Sequence, residues 1–241
     1  MDDKRQAEPS IPTHCLACKA RHDGMCSVLD AAELALLSSH TRHTRHAAGE
    51  TIAVESDIVD GYANVVEGVV KLSRVLQDGR QQLVGLQFAP DLVGRLFGRE
   101  NLLTAEAASP VALCRVPRPI LEALVARSGA LERRLLDQAL ADLDQAREWL
   151  VTLGRKTAGE RVASLLLMIA ERSLPAGEAE PVGPVTFELP LGRGDMADFL
   201  GLTIETVSRQ ISRLRREGVI EVAHHRDITV ASLERLRRRG G

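Results

Sequence analysis

Aromatic residues are scarce: one Trp, one Tyr and four Phe among 241 residues. Leu, Val, Ala and Ile must therefore fill the interior, and the length suits one large or two modest domains. Long apolar runs are missing too. The longest stretches, such as Val162 to Ala170, fall well short of the ~20 residues that a membrane-crossing helix needs. The opening Met1-Asp2-Asp3-Lys4-Arg5 leads into polar residues and proline, without the apolar core of an export signal. A soluble cytoplasmic protein is the expectation, with no membrane partner. Neither a nucleophile–base arrangement nor a phosphate-cradling glycine loop is visible, which argues against an enzyme. Cysteine is limited to four residues, and in a reducing compartment clustered thiols favour metal or redox chemistry over structural disulfides.

Those four cysteines can all be assigned to one site. Cys15, Cys18 and Cys26 lie close together as C-x2-C-x7-C, and Cys114 follows 88 residues beyond Cys26. Four thiolates can close the first coordination shell of a zinc ion or of an iron–sulfur cluster. The distant fourth ligand would tie a short N-terminal arm to a separate folded domain, so loss of the metal would change how those parts pack. A structural zinc knuckle usually keeps its ligands in two close pairs, and the present spacing reads instead as a sensor. Zinc and iron–sulfur sites can use the same four sulfurs, so a structural zinc or thiol-redox site stays open. His40, His43 and His46 recur every third residue, a spacing that does not converge in an extended chain, and they are expected to be solvated. His14 is read as an outer or exposed neighbour of Cys15.

The net charge of −2 hides an asymmetry. Residues 1–153 carry 17 Lys/Arg against 21 Asp/Glu, whereas residues 154–241 carry 14 against 12. Nine arginines face five acids after Thr203, which permits nucleic-acid binding without establishing it. Asp30-Ala-Ala-Glu33 has the spacing of a helix-starting capping box, with Leu34, Leu36 and Leu37 as the buried face. From about Ala47 to Val116, short apolar runs (Ile52–Val54, Val65–Val70, Leu83–Phe88, Val111–Val116) alternate with glycine-bearing turns. That rhythm predicts antiparallel strands closing into a barrel or jelly roll.

Helix returns after Pro119. Leu136, Ala139, Leu143, Ala146, Leu150 and Leu153 recur at spacings of three and four, the a/d seam of a coiled coil. Asp142 and Arg147 would then flank the seam and could pair across a parallel dimer. An amphipathic helix packed on its own barrel is the other reading. The small Ala139 and Ala146 weaken the seam, so a dimer held by it is marginal and easily switched. Trp149 beside it is read as packing. Thr157-Ala-Gly-Glu160 starts a further helix, and Ser173–Pro184 is a connector rich in Pro and Gly.

Residues 195–216 carry the recognition chemistry. Met196, Phe199 and Leu200 give one short helix an apolar face, Gly201 permits a sharp turn, and Thr203 can cap the next helix. Val207, Ile211 and Leu214 form the buried side of that second helix, leaving Glu205, Ser208, Arg209 and Arg213 largely opposite. This is a helix-turn-helix with a polar, basic reading face. Arg209 can contact guanine O6 and N7 in bidentate fashion, and Glu205 can accept from cytosine N4. Ser208 can reach a base edge or a phosphate, and Arg213, Arg215 and Arg216 are placed for phosphates. The bland alternative is an exposed Glu205–Arg209 pair one turn apart. After Gly218, Val219–Val222 and Asp227–Val230 flank His224-His225-Arg226, like the two-stranded wing of a winged helix.

With these residues in view, the chain resembles the Crp/Fnr superfamily of bacterial transcription regulators over nearly its whole length, specifically the oxygen-responsive Fnr type. Gly201-Leu-Thr-Ile-Glu-Thr-Val-Ser-Arg209 resembles that group's recognition-helix signature, and Asp91-Leu-Val-Gly94 its barrel. The resemblance implies an α+β fold. A cysteine-bearing arm (1–28) would precede a cyclic-nucleotide-binding-like β-roll, or jelly roll (29–130). A long dimerisation helix (131–153) and a C-terminal winged helix-turn-helix (154–241) would follow. It implies a [4Fe–4S] cluster on Cys15, Cys18, Cys26 and Cys114, the spacing resembling that of alphaproteobacterial members. It also implies a homodimer on a palindromic, TTGAT-type double-stranded DNA operator, with RNA polymerase as a further partner. The DNA-contacting set would be Thr203, Glu205, Thr206, Ser208, Arg209 and Arg213. Gln210 stands where many relatives carry an aliphatic residue, and Ala146 where some carry an acid, which would ease dimerisation of the metal-free chain. Cyclic nucleotides are disfavoured, because Glu106 would repel a phosphate if it faced the pocket.

Overall fold

Capping chemistry starts the first helix of more than one turn among the described residues. Asp30 Oδ1 accepts from Glu33 N at 2.8 Å, and Glu33 Oε2 accepts from Asp30 N at 3.0 Å, the reciprocal pattern of a capping box. The computed structural model describes residues 11–174, 181, 183–224 and 226–241. The opening residues, positions 175–180 and 182 of the connector, and His225 of the wing lie outside the described residues. Before the capped helix α3 (Ala31–Ser39) come α1 (Thr13–Leu16), α2 (Lys19–His22) and a 3₁₀ turn, Met25–Val28. Leu34 and Leu37 bury as expected, but Leu36 is exposed, because α3 is covered along only one narrow stripe.

Eight strands follow: β1 (Arg42–His46), β2 (Thr51–Ala53), β3 (Gly61–Glu67), β4 (Val69–Val75), β5 (Gln81–Phe88), β6 (Leu92–Val93), β7 (Thr104–Ala107) and β8 (Val111–Pro117). They form two four-stranded sheets in the orders β1-β8-β3-β6 and β2-β7-β4-β5, the expected β-roll. The run Val65–Val70 is two strands rather than one. Gly68 breaks it at φ +83°, where an added Cβ would collide with the Pro110 carbonyl, so only glycine fits. Asp91 ties the next corner, its carboxylate accepting from Phe88 N at 2.9 Å.

Helix α4 (Arg118–Val125) leads to the 27-residue α5 (Gly129–Arg155). Contacts divide the chain into two compact units, Met1–Val70 with Gln87–Leu140, and Lys71–Leu86 with Ala141–Gly241. The core of the first gathers Cys26, Leu34, Tyr62, Val116, Leu121 and the first turns of α5 through Leu131 and Leu135.

In the second unit, Thr157 and Glu160 form the expected capping box at α6 (Ala158–Ser173). Val162, Leu165, Leu166 and Ile169 of α6 are fully buried, each worth ~1.5–3 kcal/mol over exposure. Beyond α6 lie β9 (Val185–Glu188), α7 (Arg193–Leu200), α8 (Ile204–Arg216), β10 (Ile220–Ala223), β11 (Asp227–Val230) and α9 (Leu233–Gly240). The wing has three strands, ordered β10-β11-β9, where the sequence pattern shows two. Trp149 does pack, its ring meeting Phe199 edge-on at 4.6 Å. Among the described residues no helix is long and apolar enough to cross a membrane.

Candidate functional site

Helices α7 and α8 meet at Gly201, which takes φ +60° while Leu202 N bonds back to Ala197 O at 3.1 Å. Thr203 Oγ1 caps α8, accepting from Thr206 N at 3.3 Å. Val207, Ile211 and Leu214 are buried, while Glu205, Arg209, Arg213, Arg215 and Arg216 are exposed and Thr206 and Ser208 half-buried. Glu205 and Arg209 do not pair with each other, as the bland alternative would have them do. The Glu205 carboxyl is held below its ordinary range by its own backbone N–H and by Thr203. Arg209 Nη2 instead reaches Thr206 Oγ1 at 3.5 Å. Arg213 is less free than its spacing on α8 suggests: its Nε pairs with Glu217 Oε1 at 2.9 Å, and Arg239 holds the other Glu217 oxygen at 2.7 Å. Gln210 approaches α6, its Oε1 lying 3.2 Å from where a Cβ would stand on Gly159.

Helix α5 changes character along its length. Leu131 and Leu135 are buried, whereas Leu136 is 57% and Leu150 72% exposed. Leu143, Ala139 and Ala146 are exposed as well, and Leu153 is half-buried. Leu140, absent from the anticipated seam, is exposed beside Leu143, so the apolar stripe follows Leu136, Leu140, Leu143 and Leu150. Arg147 pairs with Asp144 on its own helix at 3.0 Å. A helix packed along its length on its own barrel would bury these leucines, so the stripe calls for a partner.

The cysteines come from four elements: Cys15 from α1, Cys18 as the N-cap of α2, Cys26 from the 3₁₀ turn and Cys114 from the middle of β8. All four line one partly open cavity, together with His43 and Asn64. Strand register explains the last two. Cys114 faces His43 across the β1–β8 ladder and Asn64 across the β3–β8 ladder. Neither is among the residues that the sequence singles out for the site. His43 sits on a strand too polar to be recognised as one, but a lone Asn within the apolar run of β3 is a visible signal. His14 meets His43 edge-on at 5.1 Å. His40 turns away, its Nδ1 lying 2.9 Å from Leu36 O, and His46 pairs with Glu50 at 2.8 Å.

All four thiols are free, and burial raises Cys15, Cys26 and Cys114 above the ordinary thiol range. Burial, then the neighbouring sulfurs, pushes Cys26 up to about 12, and burial pushes Cys114 up to about 11 against a hydrogen bond from Thr41. Ligating sulfurs must be deprotonated, so loading the cavity with a thiolate-bound metal releases protons and tightens as pH rises. Among the described residues no three Cys, His, Asp or Glu side chains are gathered tightly enough to hold a metal ion; the sulfurs share a cavity without meeting at one centre. Arg134 of α5 bonds to the loop just before Cys26, donating through Nε to Gly24 O at 3.3 Å and through Nη2 to Asp23 O. Iodoacetamide at pH 8 is expected to leave Cys26 and Cys114 unlabelled in reduced, metal-free native protein and to label both in urea. Rapid native labelling of Cys26 contradicts that protection.

Glu106 bears differently on nucleotides than anticipated. In β7 the buried residues are Ala105 and Ala107, so strand alternation puts Glu106 on the opposite face. Its charge therefore does not guard the barrel interior.

Comparison with known proteins fits this arrangement. Residues 43–128 match the cyclic nucleotide-binding domain family and residues 160–239 the Crp-like helix-turn-helix domain family. The chain is 47% identical over 231 residues to a probable transcriptional activator of Rhizobium leguminosarum bv. viciae, covering 96% of this chain and 95% of that protein. It is 40% identical to the transcriptional activator protein FnrL of Cereibacter sphaeroides, covering 97% and 94%. The structure of FixK2 from Bradyrhizobium japonicum superposes with a TM-score of 0.75 at 31% identity, covering 83% of this chain and 98% of that one.

Proposed function

The chain belongs to the Crp/Fnr family of dimeric, DNA-binding transcription regulators rather than to an enzyme family, and from that premise we propose that it is an oxygen-responsive activator. The observation that carries the reading is the convergence of Cys15, Cys18, Cys26 and Cys114 on one cavity, three from the N-terminal arm and one from the barrel. The donor set fits a [4Fe–4S] cluster, whose four irons each take one cysteine sulfur. When bound, the cluster supplies an oxygen-labile anchor for those sulfurs.

The rest is work for the chain's own residues. With the group bound, Cys15, Cys18 and Cys26 would hold the arm against Cys114 on β8, and Arg134, bonded to Gly24 O, would pass that position to the start of α5. Leu136, Leu140, Leu143 and Leu150 then pair with the same helix of a second copy. The dimer offers two α8 helices to half-sites one DNA turn apart. Glu205, Ser208 and Arg209 read bases of a TTGAT-type half-site, while Thr203 and Thr206 position the helix and Arg213 exchanges Glu217 for a phosphate. A coupling of ~3 kcal/mol between arm and dimer shifts the two states by about two orders of magnitude. RNA polymerase is the partner at the promoter, the cytoplasm is the compartment, and no cyclic nucleotide is required.

Protein purified without air is expected to be brown, with visible charge-transfer absorption, and to contain iron and sulfide at about four each per chain. Colourless protein with one zinc per chain would instead make the cysteines a structural zinc site.

A further inference from the structure

Among the described residues, Asn64 is the one that borders both the cysteine cavity and a second cavity against α5. It lies in the middle of β3, opposite Cys114 on β8 and opposite Leu92 on β6. It is 1% exposed, and its Oδ1 is buried without a hydrogen-bond partner. A buried amide oxygen left in this state is costly and calls for an explanation. The second cavity is lined by Met25, Leu92, Arg134, Leu135 and Gln138 besides Asn64. Arg134 and Gln138 belong to α5 and stand two residues to either side of the exposed Leu136.

The chemistry of the two cavities differs in what each can offer a carboxamide. A carboxamide donates from one end and accepts at the other, and a half-turn about its terminal torsion exchanges the ends. Protonated thiols can donate weakly to the oxygen. Ligating sulfurs can only accept, so they select the amide's NH₂ end. With that end toward the sulfurs, the oxygen turns to the side where the Arg134 guanidinium and Gln138 amide supply donors. Arg134 already holds the Asp23 and Gly24 carbonyls, so its position is set by the same cysteine loop.

We propose that Asn64 is the relay between the two: ligation of the cysteines turns its carboxamide, and the turned oxygen fixes Arg134 and Gln138 so that α5 presents its leucine stripe for dimerisation. The inference rests on the reading that the cysteine cavity fills, and it applies to any metal the four thiolates hold. Asn64 is a positioning residue; it acts on dimerisation through α5 and takes no part in DNA contact.

The test measures dimer dissociation constants by sedimentation for reduced full-length protein and for Asn64→Leu, which keeps the size and removes both ends of the amide. Cadmium is the probe, its thiolate absorption band counting metal per chain. Wild type is expected to dimerise at least ~10-fold more tightly with cadmium than with chelator, within the usual range of coupling between sites. Asn64→Leu is expected to bind one cadmium per chain and to change by less than ~3-fold. Asn64→Ala, expected to respond in the same way, takes its place should the leucine variant not fold. An undiminished response in the variants, loss of cadmium binding by them, or a wild-type dimer indifferent to cadmium overturns the relay. Failure of the wild type to take up iron and sulfide in a parallel reconstitution sinks the oxygen-sensing function and leaves the cadmium result to judge Asn64.

Discussion

Cys114→Ala is expected to abolish operator binding by protein prepared without oxygen, weakening it by at least ~100-fold. Cys114 alone among the four cysteines stands in the β-roll; the other three lie in the arm before α3. With three sulfurs left, the arm retains ligands but loses its covalent route to β8. The substitution removes one partly buried sulfur from a strand whose ladder bonds run through the backbone on both sides. Folding should therefore survive, and far-ultraviolet circular dichroism with an unchanged melting profile of the metal-free protein checks it. Sedimentation should report a monomer under conditions where the wild type is a dimer. Full anaerobic affinity in this variant would remove Cys114 from the ligand set and break the link between arm and barrel.

Arg209→Ala is expected to cost ~1–3 kcal/mol at one base pair of each half-site, the worth of a bidentate contact to guanine. Two half-sites make the loss in the dimer roughly the sum, because they lie far apart. The position suits this role. Arg209 is exposed on α8 one turn after Glu205, and its nearest polar contact is the 3.5 Å approach to Thr206. No strong ion pair with Glu205 has to be broken before it meets DNA. The diagnostic readout is base preference. The variant should bind its best operator and a version altered at the contacted guanine almost equally well, whereas wild type separates them by ~10-fold or more. Arg216→Ala provides the contrast, since an exposed phosphate-contacting arginine weakens all sequences alike and lowers the salt slope by about 1. Unchanged base preference in Arg209→Ala would refute α8 as the reading helix.

Much of this architecture is legible in the sequence because local chemistry and tertiary packing agree there. Both capping boxes form, Gly201 takes the left-handed turn, and Val207, Ile211 and Leu214 bury as the spacing requires. The misses share a cause: the signal that matters comes from a distant neighbour. Arg42-His-Thr-Arg-His46 has little apolar content, since β1 is an edge strand whose residues stay largely accessible, yet pairing with β8 is what brings His43 to Cys114. The short β6, β7 and β9 are too brief to show a period of their own. Helix α9 reads as part of a basic stretch, but its arginines are partly spent on ion pairs, Arg237 with Glu171 at 2.8 Å and Arg238 with Glu234 at 2.9 Å. Along α5 the three-four spacing allows either Ala139 or Leu140 in the stripe; both are exposed, and Leu140 is the larger apolar side chain. The cysteines can be counted from sequence, but Asn64 beside them requires the β3–β8 register.

Fluorescence anisotropy on a labelled palindromic operator tests the central claim most directly, with one anaerobic sample read before and after air is admitted. Iron and sulfide are assayed in the same sample. The expected result is tight binding with iron and sulfide present, then a fall of about two orders of magnitude in affinity as the visible absorption bleaches. Equal affinity before and after air, in protein that holds neither iron nor sulfide, would contradict the account.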